Sequence, residues 1–226
     1  MPRRPLIVFD MDGVLVDVRR SYHRAILETV RHFTGRRVAA AGIGAFKARA
    51  GYNDDWKLTR AWIRRLGVRI SLAAVRDHFE RLYSGRNFDG YIRLERWRLS
   101  RPVLEELAGR AELAIFTGRP RQQALYTLER FGVRRWFSAL VALEDVRRPK
   151  PHPEGLLRLL DGRAPQQALY LGDSADDALA ARRAGVPFLA VLGPGEPARR
   201  ERVRVLRARG ALAVLAAPGG VRRWLD

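Results

Sequence analysis

The sequence predicts an α/β fold: a parallel sheet with helices on both faces, and a helical domain inserted after the first strand. Three observations predict it. Short unbroken apolar runs recur at Leu6–Phe9, Glu112–Phe116 and Ala168–Leu171, and such runs read as strands buried on both faces. Amphipathic stretches alternate with the later runs, which makes βαβ units and a parallel sheet. Between the first two runs lie roughly seventy to eighty residues of helical character, against the ~2–6 residues of an ordinary strand-to-helix loop.

The first strand, Leu6-Ile7-Val8-Phe9, stops at Asp10-Met11-Asp12-Gly13. Residues two apart on an extended segment point the same way, so Asp10 and Asp12 project together from its carboxyl end, roughly 7 Å apart. Gly13 lets the backbone turn away and begins a hinge for the insertion. After Val14-Leu15-Val16-Asp17, a helix carries Tyr22, Ile26, Val30 and Phe33 on one face and ends at Gly35. Val38 to Gly51 is rich in small residues and carries no clear period. Asn53-Asp54-Asp55 offers N-caps for a helix with Leu58, Trp62 and Leu66 inward, and Ser71 caps another with Leu72, Val75, Phe79 and Leu82. Ser84 to Gly90 is a loop. The expected division is a core of residues 1–16 and 93–226 and a cap of 17–92.

The pattern then changes. A helix over Pro102–Leu107 precedes strand Glu112–Phe116, which ends at Thr117-Gly118-Arg119-Pro120. A helix with Ala124, Leu128 and Phe131 leads to a strand at Ala139–Leu143. Then come Arg148-Pro149-Lys150-Pro151-His152-Pro153 and a helix with Leu156, Leu159 and Leu160. Strand Ala168–Leu171 ends at Gly172-Asp173-Ser174, helix Ala175–Ala184 stops at Gly185, and strands follow at Phe188–Leu192 and Ala211–Leu215.

The totals exclude several classes. At 226 residues the chain suits one domain with an insertion, or two small ones. Without cysteine, disulfides and thiolate metal sites are impossible. No apolar stretch approaches the ~20 residues that span a bilayer, so no membrane partner is expected. The basic Met1-Pro2-Arg3-Arg4 precedes an apolar run broken at once by carboxylates, which is not a signal peptide, and a cytoplasmic protein is expected. The net charge is +19, but of 43 Lys and Arg only three are Lys, at positions 47, 57 and 150. The arginines are spread over solvated helix faces with no aromatic-interleaved ribbon. That suits a general attraction for anions such as phosphorylated metabolites, with no specific nucleic acid expected. Nothing in the sequence reports oligomeric state.

Polar residues recur at strand ends. Parallel strands end on one rim, so Asp10, Asp12, Thr117 and Asp173 converge there, with Lys150 in a proline-stiffened loop within reach and Asp177 one helical turn beyond Asp173. Facing carboxylates need a cation, and an all-oxygen donor set favours Mg²⁺. An Asp can attack phosphorus, a second carboxyl can protonate a leaving alkoxide, and Lys and Thr can hold phosphoryl oxygens. Keeping a compact ammonium at Lys150 in an arginine-rich chain hints at a role the guanidinium fork cannot fill. Taken singly, Thr117-Gly118 also reads as a turn, and Ser174 and Asp176 as a favourable helix N-terminus. His23, His32 and His78 lack metal-ligand spacing and read as structural.

With these residues in order, the chain resembles the haloacid dehalogenase (HAD) superfamily of hydrolases, in the subfamily with a helical C1 cap that includes phosphoglycolate phosphatases and β-phosphoglucomutases. Asp10-Met11-Asp12-Gly13-Val14 resembles motif I, Thr117-Gly118-Arg119 motif II, Lys150 motif III, and Gly172-Asp173-Ser174-Ala175-Asp176-Asp177 motif IV. The resemblance implies a Rossmann-like core and Mg²⁺ as cofactor. It implies Asp10 as nucleophile and metal ligand, and Asp12 as general acid/base with its backbone carbonyl on the metal. Thr117 binds the phosphoryl group, with Gly118 beside it. Lys150 neutralises nucleophile and phosphate, Asp173 ligates Mg²⁺, and Asp177 orients Lys150 or a metal-bound water. Motif spacing selects Asp177 over Asp176. Ser174 supports that turn, Arg119 binds substrate or completes its loop, and His152 falls at a variable position.

A carboxyl at Asp12 favours phosphate monoesters over dehalogenation. The expected activity is a Mg²⁺-dependent phosphatase working through an aspartyl-phosphate, with a phosphomutase of the β-phosphoglucomutase type as the alternative. A phospho-signalling receiver, which needs no cap, is more distant, as is a nucleic-acid module, for which the sequence carries no binding signature. Substrate choice falls to the cap, where Asn53, Asp55, Trp56 and Lys57 are the candidate contacts. That stretch resembles a subgroup linked to histidine biosynthesis, which implies an amino-alcohol phosphate such as histidinol phosphate. The basic overall charge suits small acids such as phosphoglycolate.

Overall fold

A computed structural model describes residues 3–196 and 198–225. The outer limits expected for the core, residues 1 and 226, lie outside the described residues. β1 (Leu6–Phe9) is followed by β2 (Val16–Asp17), α1 (Tyr22–Thr34), α2 (Ala41–Lys47), α3 (Asp55–Arg65), α4 (Leu72–Tyr83) and β3 (Arg96–Trp97). The chain continues through α5 (Arg101–Arg110), β4 (Glu112–Phe116), α6 (Arg121–Arg130), β5 (Ala139–Val141), α7 (Glu154–Leu160) and β6 (Ala168–Gly172). It closes with α8 (Ala175–Ala184), β7 (Phe188–Val191), α9 (Arg199–Ala208) and β8 (Ala211–Leu215).

Six strands form one parallel sheet in the order β5-β4-β1-β6-β7-β8. β1 sits between β4 and β6, with Phe9 level with Ile115 and Leu171. Its four residues are all buried because alternate side chains enter opposite cores. Ile7 and Phe9 join Leu113, Ile115 and Leu189 on one face, while Leu6 and Val8 join Phe116, Tyr170 and Phe188 on the other. The first of these cores runs on into the helical insertion through Ile26, Leu58 and Phe79. Within the insertion, α1, α3 and α4 pack together, and α2 rests against α9 of the core. Asp54 and Ser71 cap α3 and α4, accepting from the backbone N–H groups of Lys57 and Ala74.

One expectation is corrected. The stretch after Gly13 is not purely helical: β2 and β3 pair antiparallel where the chain leaves and re-enters the core. Two residues per strand are too few to carry an alternating pattern, so this ribbon leaves no periodic trace. The ambiguous small-residue segment contains α2.

Gly13 shows why the turn after Asp12 needs glycine. Its φ is +76°, and an added Cβ would lie 2.5 Å from Oδ2 of Asp173. Gly13→Ala is expected to destabilise the fold by about 1–2 kcal/mol from the left-handed backbone alone. The Asp173 contact adds to that, and thermal unfolding measures the sum.

Candidate active site

The carboxyl ends of β1, β4 and β6 form one rim, and the predicted residues meet there. Asp10 is 2% exposed, and its Oδ1 accepts from the backbone N–H of Met11. Lys150 bridges two carboxylates, with Nζ 2.9 Å from Asp10 Oδ1 and 2.8 Å from Asp177 Oδ1. The ammonium also lies 4.7 Å from the centre of the Phe116 ring, within cation–π range. Asp177 is held on all sides. It accepts from Tyr170 Oη at 2.6 Å, Ser174 Oγ at 2.6 Å, and the backbone N–H groups of Ser174 and Asp173. Ser174 in turn caps α8, so one short turn both starts the helix and positions Asp177.

The charges here are interdependent. Burial raises the pKa of Asp10 well above the usual carboxylate range; Lys150 opposes this, and Asp177, Asp12 and Asp173 add to it. Burial alone would lower that of Lys150, but Asp10 and Asp177 outweigh it and raise it. Burial also acts to raise Asp177, yet Lys150, Ser174 and Tyr170 bring it below the ordinary value. The site therefore keeps a charged ammonium among acids that compete to stay ionised.

Asp173 completes the acidic centre. Its Oδ2 takes Arg202 Nη2 at 2.6 Å, while Oδ1 is buried without a hydrogen-bond partner among the described residues. Carboxylate oxygens of Asp10, Asp173 and Asp177 lie within 4.8 Å of one another. Thr117 is 1% exposed on the same rim, its Oγ1 accepting from the backbone N–H of Arg119.

Asp12, on the same rim, pairs with Arg119. Nε and Nη2 of Arg119 donate to Asp12 Oδ1 at 2.8 and 2.5 Å. Nη1 and Nη2 reach the two oxygens of Glu95 at 3.2 and 2.8 Å, and Nη1 also reaches Thr127. Glu95 additionally accepts from Tyr83 and Thr127. Arg119 is 1% exposed, and although burial would lower its pKa, Asp12 and Glu95 raise it. Arg119 is a buried strut between Asp12 and Glu95 that also borders the cavity.

The family model of haloacid dehalogenase-like hydrolases matches residues 5–185. The chain belongs to the haloacid dehalogenase-like hydrolases. It is 36% identical over 197 residues to a Phytophthora nicotianae protein named imidazoleglycerol-phosphate dehydratase, covering 83% of this chain and 43% of that protein, so it spans less than half of that relative. It is 29% identical over 188 residues to a phosphoglycolate phosphatase of Yersinia pestis, covering 81% of this chain and 78% of that one. A solved structure of a predicted phosphoglycolate phosphatase from Haemophilus somnus shares the fold, with a TM-score of 0.78, 20% identity and full coverage of both chains.

In this haloacid dehalogenase-like chain the insertion overhangs the rim, and a cavity of about 320 Å³ lies between them. Asn53, Asp54, Asp55, Trp56 and Lys57 line it from above, and Asp10, Asp12, Gly118, Arg119 and Lys150 from below. The four expected cap residues thus face the rim. Trp56 is tied back by its indole N–H to Glu80, and Lys57 to Asp54 at 3.4 Å. An added Cβ on Gly118 would lie 3.2 Å from Asn53 Nδ2, so the cap loop rests on that glycine. All three lysines of the chain line this one cavity. Lys47 is 4% exposed and 3.5 Å from Asp55 Oδ1; burial pushes the pKa of Asp55 up to about 6 despite Lys47.

The adjacent acids of motif IV divide as the family spacing suggests. Asp177 meets Lys150, whereas Asp176 turns to the cap loop, accepting from Gly51 N–H at 2.7 Å and Asn53 N–H at 3.0 Å. Sequence reasoning missed Glu95, Arg202 and Tyr22, which line or brace the site without any local signal. Lys47 had one: it is among the rare lysines. His23 is buried and its pKa is pushed down to about 3, chiefly by burial and by Lys47, as suits a neutral core histidine.

Proposed function

We propose that this chain is a Mg²⁺-dependent phosphatase that hydrolyses a small phosphate monoester through an aspartyl-phosphate on Asp10. The observation that carries the reading is Lys150 bridging Asp10 and Asp177 beneath the cavity between rim and insertion. A nucleophilic carboxylate facing a dianionic ester needs such a fixed cation.

The residues fit a magnesium ion. The donors are all oxygen, and among the described residues Asp173 Oδ1 is buried without a hydrogen-bond partner. Asp10, Asp173 and the main-chain carbonyl of Asp12 would hold it. When bound, Mg²⁺ would neutralise the carboxylates and polarise a phosphoryl oxygen.

Asp10 attacks phosphorus, and the bond from phosphorus to the leaving oxygen breaks. Asp12 gives its proton to that oxygen. Both Arg119 contacts to Asp12 fall on Oδ1. Water then loses a proton to Asp12 and attacks phosphorus, and the bond from Asp10 to phosphorus breaks to release inorganic phosphate. Lys150 and Thr117 hold phosphoryl oxygens throughout. The cap excludes bulk water from the first step.

Two substrates come first. The Asp55 carboxylate in the cavity wall, although 3.5 Å from the Lys47 ammonium, favours an amine on the leaving group, as in histidinol phosphate, and a relative at 36% identity has a name from imidazoleglycerol phosphate chemistry. The buried ammonium of Lys47 favours a carboxylate, as in phosphoglycolate, and other relatives are named phosphoglycolate phosphatases. The test is phosphate release from both, within a panel of phosphorylated metabolites. Release of inorganic phosphate, rather than its transfer to a second hydroxyl, separates phosphatase from phosphomutase. Excess EDTA is expected to bring the rate to background and Mg²⁺ to restore it. Turnover undiminished in EDTA would overturn the proposal. Among the described residues no helix is long and apolar enough to cross a membrane.

A further inference from the structure

Asp176 is a buried core carboxylate with no part in the chemistry proposed above. It is 1% exposed, at the second position of α8. Acids are common in a first helical turn, where they complement the helix dipole. Here, however, Ser174 already caps the helix and Asp177 completes the capping box. The two oxygens of Asp176 instead take one backbone N–H each from the inserted loop: Oδ1 from Gly51 at 2.7 Å and Oδ2 from Asn53 at 3.0 Å. A carboxylate accepting two amides is a charge-assisted, bidentate contact, stronger than a neutral pair.

The place of that contact matters. Gly51 to Asn53 leads directly into Asp54, the N-cap of α3, and the first turn of α3 carries Asp55, Trp56 and Lys57 over the cavity. Asn53 lies against Gly118 of the floor. We propose that Asp176 is a positioning residue that clasps the cap loop at residues 51–53 to the catalytic rim and so holds the substrate-facing turn 53–57 in place. One turn of α8 then organises both halves of the site: Asp177 fixes Lys150 in the floor, and Asp176 fixes the roof.

The consequence for turnover rests on the phosphatase reading; the clasp itself does not. Substrates whose leaving group reaches residues 53–57 depend on a placed roof, while methyl phosphate, whose leaving group is too short, does not. Two measurements on the full chain test this, with Asp176→Ala and the milder Asp176→Asn. Amide hydrogen exchange over residues 51–57 is expected to speed up at least ten-fold in Asp176→Ala, with β1 exchange unchanged as the control for folding. Unchanged protection over 51–57 in both variants overturns the clasp. For the preferred substrate of the metabolite panel, KM is expected to rise at least ten-fold with kcat within about three-fold, while kcat/KM for methyl phosphate stays within about three-fold. Equal losses on both esters overturn the positioning role. A wild-type chain that releases no phosphate would sink the phosphatase reading, while the exchange result still decides the clasp.

Discussion

Asp10→Asn will lower phosphate release by about 10⁴-fold or more without loosening the fold. The size follows from removing the atom that bonds to phosphorus, since enzymes that lose a nucleophile or its activating partner fall by about 10⁴–10⁶ in kcat. The stability side follows from burial. Desolvation holds the pKa of Asp10 well above its ordinary value, with Asp177, Asp12 and Asp173 adding to the shift, even though Lys150 works against it. A carboxylate whose folded-state pKa is raised is one whose ionised form the fold disfavours, so at neutral pH it subtracts from stability. The amide has nearly the same shape and no charge. The thermal midpoint of the metal-free variant should therefore equal or exceed that of the wild type. Activity within ten-fold of wild type would remove Asp10 from the chemistry. A large fall in midpoint would show that Asp10 acts through structure.

Arg119→Met will unfold the protein at markedly lower temperature and also slow turnover. The guanidinium is buried between Asp12 and Glu95, with Thr127 as a further acceptor. Removing one member of a buried ion pair leaves charge stranded and typically costs about 3–5 kcal/mol. For a chain of this size that is roughly a 10 °C fall in midpoint, at about 2–4 °C per kcal/mol. Most of the penalty comes from Glu95, whose side chain is fully buried, whereas that of Asp12 is 17% exposed to the cavity. Adding Glu95→Gln to Arg119→Met should thus recover part of the stability, a non-additivity expected of contacting groups. It should not recover the rate, because Asp12 remains unoriented. Thermal unfolding and phosphate release on both variants check this; additive stability losses would show that the two residues do not act as a pair.

Asp10, Asp12, Thr117, Lys150, Asp173 and Asp177 were legible because each sits at a fixed offset from an apolar strand or its following helix. The glycines beside them carry the same local information. Gly13, with φ at +76° and Asp173 against it, has no room for a side chain. Arg119 was visible as a residue of that rim but not in its role. It is one of many arginines in a +19 chain, and nothing in its neighbourhood distinguishes a buried strut from a solvated cation. The same holds for Arg202, which reaches Asp173 from α9, and for Glu95, which meets Arg119 from β3's approach.

What the sequence alone determined is the alternation of strand and helix, the strand whose end carries the paired acids, and the interruption of the core by a helical insertion. Hydrophobic period and turn chemistry act over a few residues, so they survive in the linear order. Only the tertiary structure decided the strand order β5-β4-β1-β6-β7-β8, the short β2–β3 ribbon, the burial of Arg119 and the hold of Asp176 on Gly51 and Asn53. Each of these joins groups far apart in the chain. Their pairing is set by how the cap packs on the sheet, and a local pattern carries no record of which distant partner a buried charge will meet.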